Sequence, residues 1–265
     1  MTQPRNTTIE FRNVDYRIAP DRLLLERVNL QVQPGETLML LGRSGSGKTT
    51  CLKMINRLIE PTAGEILVEG KALSQWDIIR LRRSIGYAIQ DVGLFPHYSV
   101  RENVALIPTL EGWERSRIDA RAQEVLALVG LPPEEFGDRY PNELSGGQRQ
   151  RVGLARALAA EPPILLMDEP FGALDPITRA EVQVQFQKLQ QRLKKTVVFV
   201  THDVGEALLL GDRIGLMDSG HLRGVYTGEE FWRSEDNLAK SYKQVVQAAQ
   251  QRLTAEAHPE GRSHE

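Results

Sequence analysis

Residues 37–49 read Thr37-Leu-Met-Leu-Leu41-Gly42-Arg43-Ser44-Gly45-Ser46-Gly47-Lys48-Thr49, an apolar run, then a glycine-rich turn, then the start of a helical pattern. The turn has the spacing G-x-x-x-x-G-K-[ST] between a strand and a helix, the context in which that spacing carries a mechanism. Glycines let the backbone curl until successive N–H groups and the helix N-terminus face one anion. Lys48 adds a point charge, Thr49 offers a hydroxyl suited to Mg²⁺, and Ser44, Gly45, Ser46 and Thr50 fill out the loop and first helical turn. This stretch is read as a cradle for a nucleoside triphosphate with Mg²⁺.

Working outward, Ile85–Ile89, Ile164–Met167, Val197–Thr201 and Ile214–Met217 are apolar throughout, the pattern of strands covered on both faces. Helical patterns such as Leu52/Ile55/Leu58/Ile59 and Val152/Ala155/Leu158 lie between several of them. The expected fold is therefore α/β, a P-loop NTPase core with a largely parallel sheet. Residues 7–33 alternate instead, which predicts an antiparallel β subdomain. Residues 99–160 lack a convincing strand and read as a helical insertion. The expected division is a cassette over 1–228, a helical extension over 229–254 and a disordered tail over 255–265.

The charge balance, 33 basic against 35 acidic residues for a net −2, argues against non-specific adhesion to nucleic acid or anionic lipid. A hydrophobic content of 41% is that of a globular chain. The single Cys51 excludes an internal disulfide, and His97, His221, His258 and His264 show no ligand spacing. The N-terminus lacks the apolar core of a secretory signal, and no run approaches the roughly 18 residues of a spanning helix, so a cytoplasmic location is expected.

Two further stretches carry chemistry. Ile164–Met167 delivers Asp168 and Glu169 to a strand's C-terminal end, where open α/β sheets bind ligands. Strand alternation would aim the two carboxylates differently, Asp168 toward Mg²⁺, largely through water, and Glu169 toward the attacking water as general base. Leu144-Ser145-Gly146-Gly147-Gln148 opens a helix and makes a second phosphate-facing terminus, although the chain has only one Lys48.

The ordered set Gly42–Thr49, Gln90, Leu144–Gln148, Asp168-Glu169, Asp175 and His202 resembles the nucleotide-binding subunit of ATP-binding-cassette (ABC) transporters over about residues 7–225. The resemblance implies ATP as ligand, Tyr16 stacking on adenine, Gln90 sensing Mg²⁺ and the attacking water, and His202 contacting the γ-phosphate. It implies that Ser145 and Gly147, with Gly146 and Gln148, bind the ATP held by an opposite subunit, and that Asp175 lies across that interface. A second phosphate-facing terminus without its own cradle is satisfied if two chains pack head to tail around two ATPs.

The segments Lys53–Pro61, Ile89–His97, Phe171–Arg179 and Phe199–Arg213 are similar to importers of glycine betaine, carnitine and choline. That branch implies transmembrane permease subunits, an extracytoplasmic solute-binding protein and a location on the cytoplasmic side of the membrane, peripheral through the permease. The resemblance implies that a groove near Gln90 through Asn103 receives the permease, with Leu94, Phe95 and Tyr98 expected either as apolar anchors for it or as ordinary packing beneath the helical insertion. An importer of another small solute, and an ABC ATPase acting on nucleic acid, are the alternative readings. The second lacks its usual coiled coil or second cassette, and no nucleic-acid partner is expected.

Overall fold

The computed structural model describes residues 7–89, 92–172 and 174–257. An antiparallel sheet is built from β1 (Ile9–Ala19), β2 (Arg22–Val32), β4 (Ala63–Val68) and β5 (Lys71–Ala72) in the order β2-β1-β4-β5. The central sheet contains β3 (Thr37–Gly42), β6 (Ile85–Ala88), β7 (Ile164–Asp168), β8 (Thr196–Thr201), β9 (Arg213–Asp218) and β10 (His221–Tyr226), ordered β10-β9-β3-β8-β7-β6. All its pairings are parallel except β9–β10. Helices α1 (Lys48–Ile55), α2 (Ile78–Ser84), α3 (Val100–Leu110), α4 (Arg115–Leu128), α5 (Pro133–Phe136), α6 (Gly146–Ala159), α7 (Pro176–Leu193), α8 (Val204–Leu210), α9 (Gly228–Arg233) and α10 (Asn237–Ala257) complete the chain.

Every residue of β3, β7 and β8 is buried, as their unbroken apolar character requires. Successive side chains serve opposite faces. Leu38, Leu40, Val198, Val200 and Leu166 join α1 and the antiparallel sheet in one core, whereas Met39, Leu41, Val197, Phe199 and Leu165 join α4, α6 and α7 in the other. The strand ends carrying the motif residues are thus clamped from both sides.

Several expectations need correction. The helix predicted through Ile59 ends at Ile55, because Arg57 takes a left-handed φ of 49° and the chain folds back, with Leu58 N–H donating to Lys53 O. The C-terminal extension is two helices, broken where Asp236 caps α10 through the N–H groups of Leu238 and Ala239. Its first helix opens at Gly228 and α10 runs to Ala257, so 255–257, expected as tail, are helical. The rest of that tail, 258–265, lies outside the described residues.

Candidate functional site

The cradle closes at the C-terminal end of β3. Gly45 and Gly47 have φ of 78° and 103°, and a Cβ on Gly47 would lie 2.4 Å from Leu25 Cδ2, so glycine is required there by both torsion and space. Gly47 caps α1, and Ser46 O accepts from Gly220 N–H, pinning the loop to the β9–β10 turn. The Lys48 ammonium, 4% exposed, donates to Gly42 O at 2.7 Å and Arg43 O at 2.9 Å. Burial holds its pKa below the usual lysine range, while the Glu169 and Asp168 charges pull it back up. Buried Ser46 Oγ has no hydrogen-bond partner, an orphan polar atom beneath Gly42 on the same loop. Ser44 is exposed on the same loop, and Thr50 follows Thr49 on α1.

Thr49 Oγ1 donates to Asp168 Oδ1 at 2.9 Å, which brings a hydroxyl and a carboxylate together at the foot of the cradle. Burial pushes the Asp168 carboxyl above the ordinary aspartate range, against the pull of the Thr49 hydrogen bond and the charges of Lys53 and Lys48. Two hard oxygen donors, a hydroxyl and a buried carboxylate, suit Mg²⁺.

Glu169 lies one residue past β7 in the left-handed region, φ 46°, with its N–H on Val200 O at 3.1 Å and its carbonyl accepting from Gly172 N–H. This turn, and not the alternation of the strand, separates the two carboxylates: Asp168 meets Thr49, and Glu169 Oε2 lies 3.2 Å from His202 Nδ1. His202 follows β8 with an exposed side chain, unlike a hydrogen-bonded core histidine. Gln90 lies outside the described residues.

Ser145 caps α6 with a reciprocal pair: its Oγ accepts from Gln148 N–H, and Gln148 Oε1 accepts from Ser145 N–H at 2.8 Å. A Cβ on Gly147 would meet Leu174 Cδ2 at 2.9 Å, whereas one on Gly146 would meet only Arg149 Nη2 at 4.0 Å, so this helix start abuts the segment before Asp175 in its own chain. Asp175 caps α7 through the N–H groups of Ile177 and Thr178, and the Thr178 hydrogen bond holds its carboxyl below the usual range. Tyr16 is half-buried on β1, packed on the α1-side core, so the cradle group and Tyr16 share one hydrophobic support. Cys51, in that core, is fully buried and its thiol is pushed up to about 12.

Thr201 and Glu206 belong to none of the motifs of the sequence. The signal was Asp203-x-x-Glu206, a capping pattern whose glutamate turns inward instead of back to the helix start. A cleft of 330 Å³ also opens beside β6, lined by Gly86, Tyr87, Phe95, Leu106, Ile107 and Arg156. Fully buried Asn103 fastens its rim, accepting from Phe95 N–H and donating to the carbonyls of Phe95, Tyr98 and Ser99. Among the described residues no helix is long and apolar enough to cross a membrane, and no cluster of three or more His, Cys, Asp or Glu could hold a metal.

The family model described as ABC transporter matches residues 25–172. The choline transport ATP-binding protein OpuBA of Bacillus subtilis is 50% identical over 226 residues, 85% of this chain and 59% of that protein. The glycine betaine uptake system ATP-binding protein YehX of Escherichia coli is 50% identical over 214 residues, 81% of this chain and 69% of that protein. The chain spans between half and two thirds of the length of most of the curated relatives it matches. A dimeric post-hydrolysis structure of the ATP-binding cassette MJ0796 bound to ADP and Pi aligns with a TM-score of 0.76 and 36% identity, covering 83% of this chain and 98% of that one.

Proposed function

This chain belongs to the ABC transporter family, and we propose that it is the ATP-hydrolysing subunit of an importer of small quaternary amines of the glycine betaine, choline and carnitine class. The observation that carries the hydrolytic part is the Glu169–His202 contact beside the Lys48 cradle. In this reading Ser46, Lys48 and the amides from Gly42 to Thr50 hold the phosphates, and Tyr16 supports the base. Glu169, its carboxylate fixed by an unusual backbone torsion, takes the proton of the attacking water. His202 donates toward the γ-phosphate as charge develops there. Thr49 and Asp168 would hold Mg²⁺, which would neutralise charge on the phosphates, and the family resemblance assigns Gln90 to the same ion.

Lys48 sits on the carbonyls of its own loop, so ATP oxygens replace those contacts at small cost in desolvation. Ser145, Gly146, Gly147 and Gln148 face the ATP of a second ATP-binding subunit packed head to tail, with Asp175 at the seam. The exposed Ile177, at 75%, beside Asp175 is the apolar contribution such a seam needs. ATP joins the pair and hydrolysis releases it, and that closing and opening drives the permease.

The transmembrane permease docks at the cleft beside β6, on Phe95 in its lining and on neighbouring Tyr98, in a loop that Asn103 fastens by hydrogen bonds, whereas Leu94 packs against the core of its own chain. The system takes its solute from an extracytoplasmic binding protein, and this subunit sits on the cytoplasmic side of the membrane, peripheral through the permease. The solute class rests on the relatives' names alone, and another small solute is the second reading. Reconstitution with the cognate permease in liposomes tests both parts. ATP-dependent uptake of glycine betaine, choline or carnitine, lost in Glu169→Gln, is expected; ATPase activity without such uptake would overturn the solute class, and no ATPase activity would overturn the whole.

A further inference from the structure

A buried carboxylate that this reaction does not use stands four residues beyond His202. Glu206, on α8, is 8% exposed, and both its oxygens are engaged. Gln183 Nε2, from α7, donates to Oε1 at 3.0 Å, and Thr201 Oγ1 donates to Oε2 at 2.6 Å. Thr201 and Gln183 are equally withdrawn from solvent, at 2% and 8%.

The direction of these bonds follows from proton counting. Thr201 Oγ1 accepts the N–H of Asp203 at 2.9 Å, and a hydroxyl has one proton to give, which goes to Glu206. The residues immediately before and after His202 are therefore joined through a single hydroxyl, and Glu206 orients that hydroxyl. The His202 ring itself is solvent-exposed and meets Glu169. Its aim is set by the backbone on either side, which is what the hydroxyl ties.

Helix stability alone does not ask for this arrangement. A glutamate at the third position of α8 ordinarily reaches back to the cap N–H while staying in solvent. Here Thr201 takes that N–H, and the carboxylate is buried, which is costly unless every oxygen is paired. Burial and the nearby Asp203 charge push the Glu206 carboxyl upward, opposed by its two hydrogen bonds and the Arg179 charge. Arg179 and Gln183 both belong to α7, the helix capped by Asp175, and Arg179 Nη2 also donates to Leu174 O.

We propose that Glu206 is a positioning residue that, through Thr201, sets His202 for the hydrolytic step and, through Gln183, ties it to the helix that starts at Asp175. Seating Asp175 against a second subunit would then be felt at the imidazole. The inference rests on the ATPase reading above.

The test is steady-state ATP hydrolysis by the full chain with Mg²⁺, with melting temperatures taken on the same samples. Thr201→Val keeps the shape of a buried strand residue without the hydroxyl, Thr201→Ser keeps the hydroxyl, and Glu206→Gln removes the charge without the side chain. Thr201→Val and Glu206→Gln should lower kcat on the order of tenfold with KM within about twofold, and Thr201→Ser should restore it. In a His202→Ala background Thr201→Val should cost nothing further, which a merely structural role would not give. Unchanged kcat in Thr201→Val, or an equal loss with and without His202, would overturn the proposal. A wild-type chain that hydrolyses no ATP would overturn the ATPase reading itself, a separate outcome seen before any Thr201 variant is measured.

Discussion

Thr49 Oγ1 and Asp168 Oδ1 are 2.9 Å apart, so the first turn of α1 and the last residue of β7, 119 positions away in the chain, meet at one carboxylate. This joins the Lys48 loop to the end of β7, and it places an anion where burial disfavours one.

The Asp168→Asn variant should be more stable than the parent without nucleotide at neutral pH. Because the folded-state pKa is raised, the native chain binds more protons than the unfolded one, and stability falls as pH climbs from the ordinary aspartate value, 3.8, through the raised value. Removing the charge recovers that loss. A melting temperature above the parent's is expected at pH 7.5. The difference should vanish in acid, and Mg²⁺-dependent ATP turnover should be abolished. Thermal melts at pH 4 and pH 7.5 check the sign.

Ser145→Ala separates the two phosphate-facing ends. Losing a reciprocal cap costs α6 about 1 kcal/mol. ATP affinity of the isolated chain, which depends on its own Lys48 cradle, should stay within about twofold, while turnover should fall at least tenfold. Fluorescent-nucleotide titration beside an ATPase assay reads both; a matching loss of affinity would mean that Ser145 acts on the cradle of its own chain.

At Gly47 an added methyl finds Leu25 Cδ2 at 2.4 Å and a φ of 103°. Gly47→Ala should destabilise by about 1–3 kcal/mol and weaken ATP binding at least tenfold, since an alanine resists a φ of 103° and relaxing it moves the amides of the loop. Calorimetric titration with ATP measures the second effect.

Phe95→Ala with Tyr98→Ala removes a tilted aromatic pair, centroids 5.5 Å apart, from the rim of the cleft. Phe95 is 41% exposed, so stability should change little while capture of the permease from detergent extracts falls severalfold. ATP binding should be unaffected, and undiminished capture would move the permease to another surface.

The parts of the fold legible in the sequence were those whose burial is uniform. β3, β7 and β8 are covered on both faces and read as unbroken apolar runs. β10 escaped notice because none of His221–Tyr226 is buried, and β4 because only Ile66 and Val68 are; edge and half-covered strands leave no such run. The early stop of α1 depended on one left-handed Arg57, which Leu58 and Ile59 mask by continuing the helical spacing. At the site, spacing singled out Lys48, Thr49, Asp168 and Glu169. It could not reveal the left-handed turn that aims Glu169, nor the pairing of Glu206 with Gln183, which is made only when α7 and α8 pack together.

Cys51 is the sole cysteine of the chain, sealed behind the cradle with its thiol held protonated. Maleimides and mild oxidants attack thiolates, so the folded protein should not react with them at Cys51. It is a ready-made blank for site-directed labelling: one cysteine placed at Ile177 or Ser145 would report alone, by cross-link or spin label, on how two copies approach and part during a catalytic cycle.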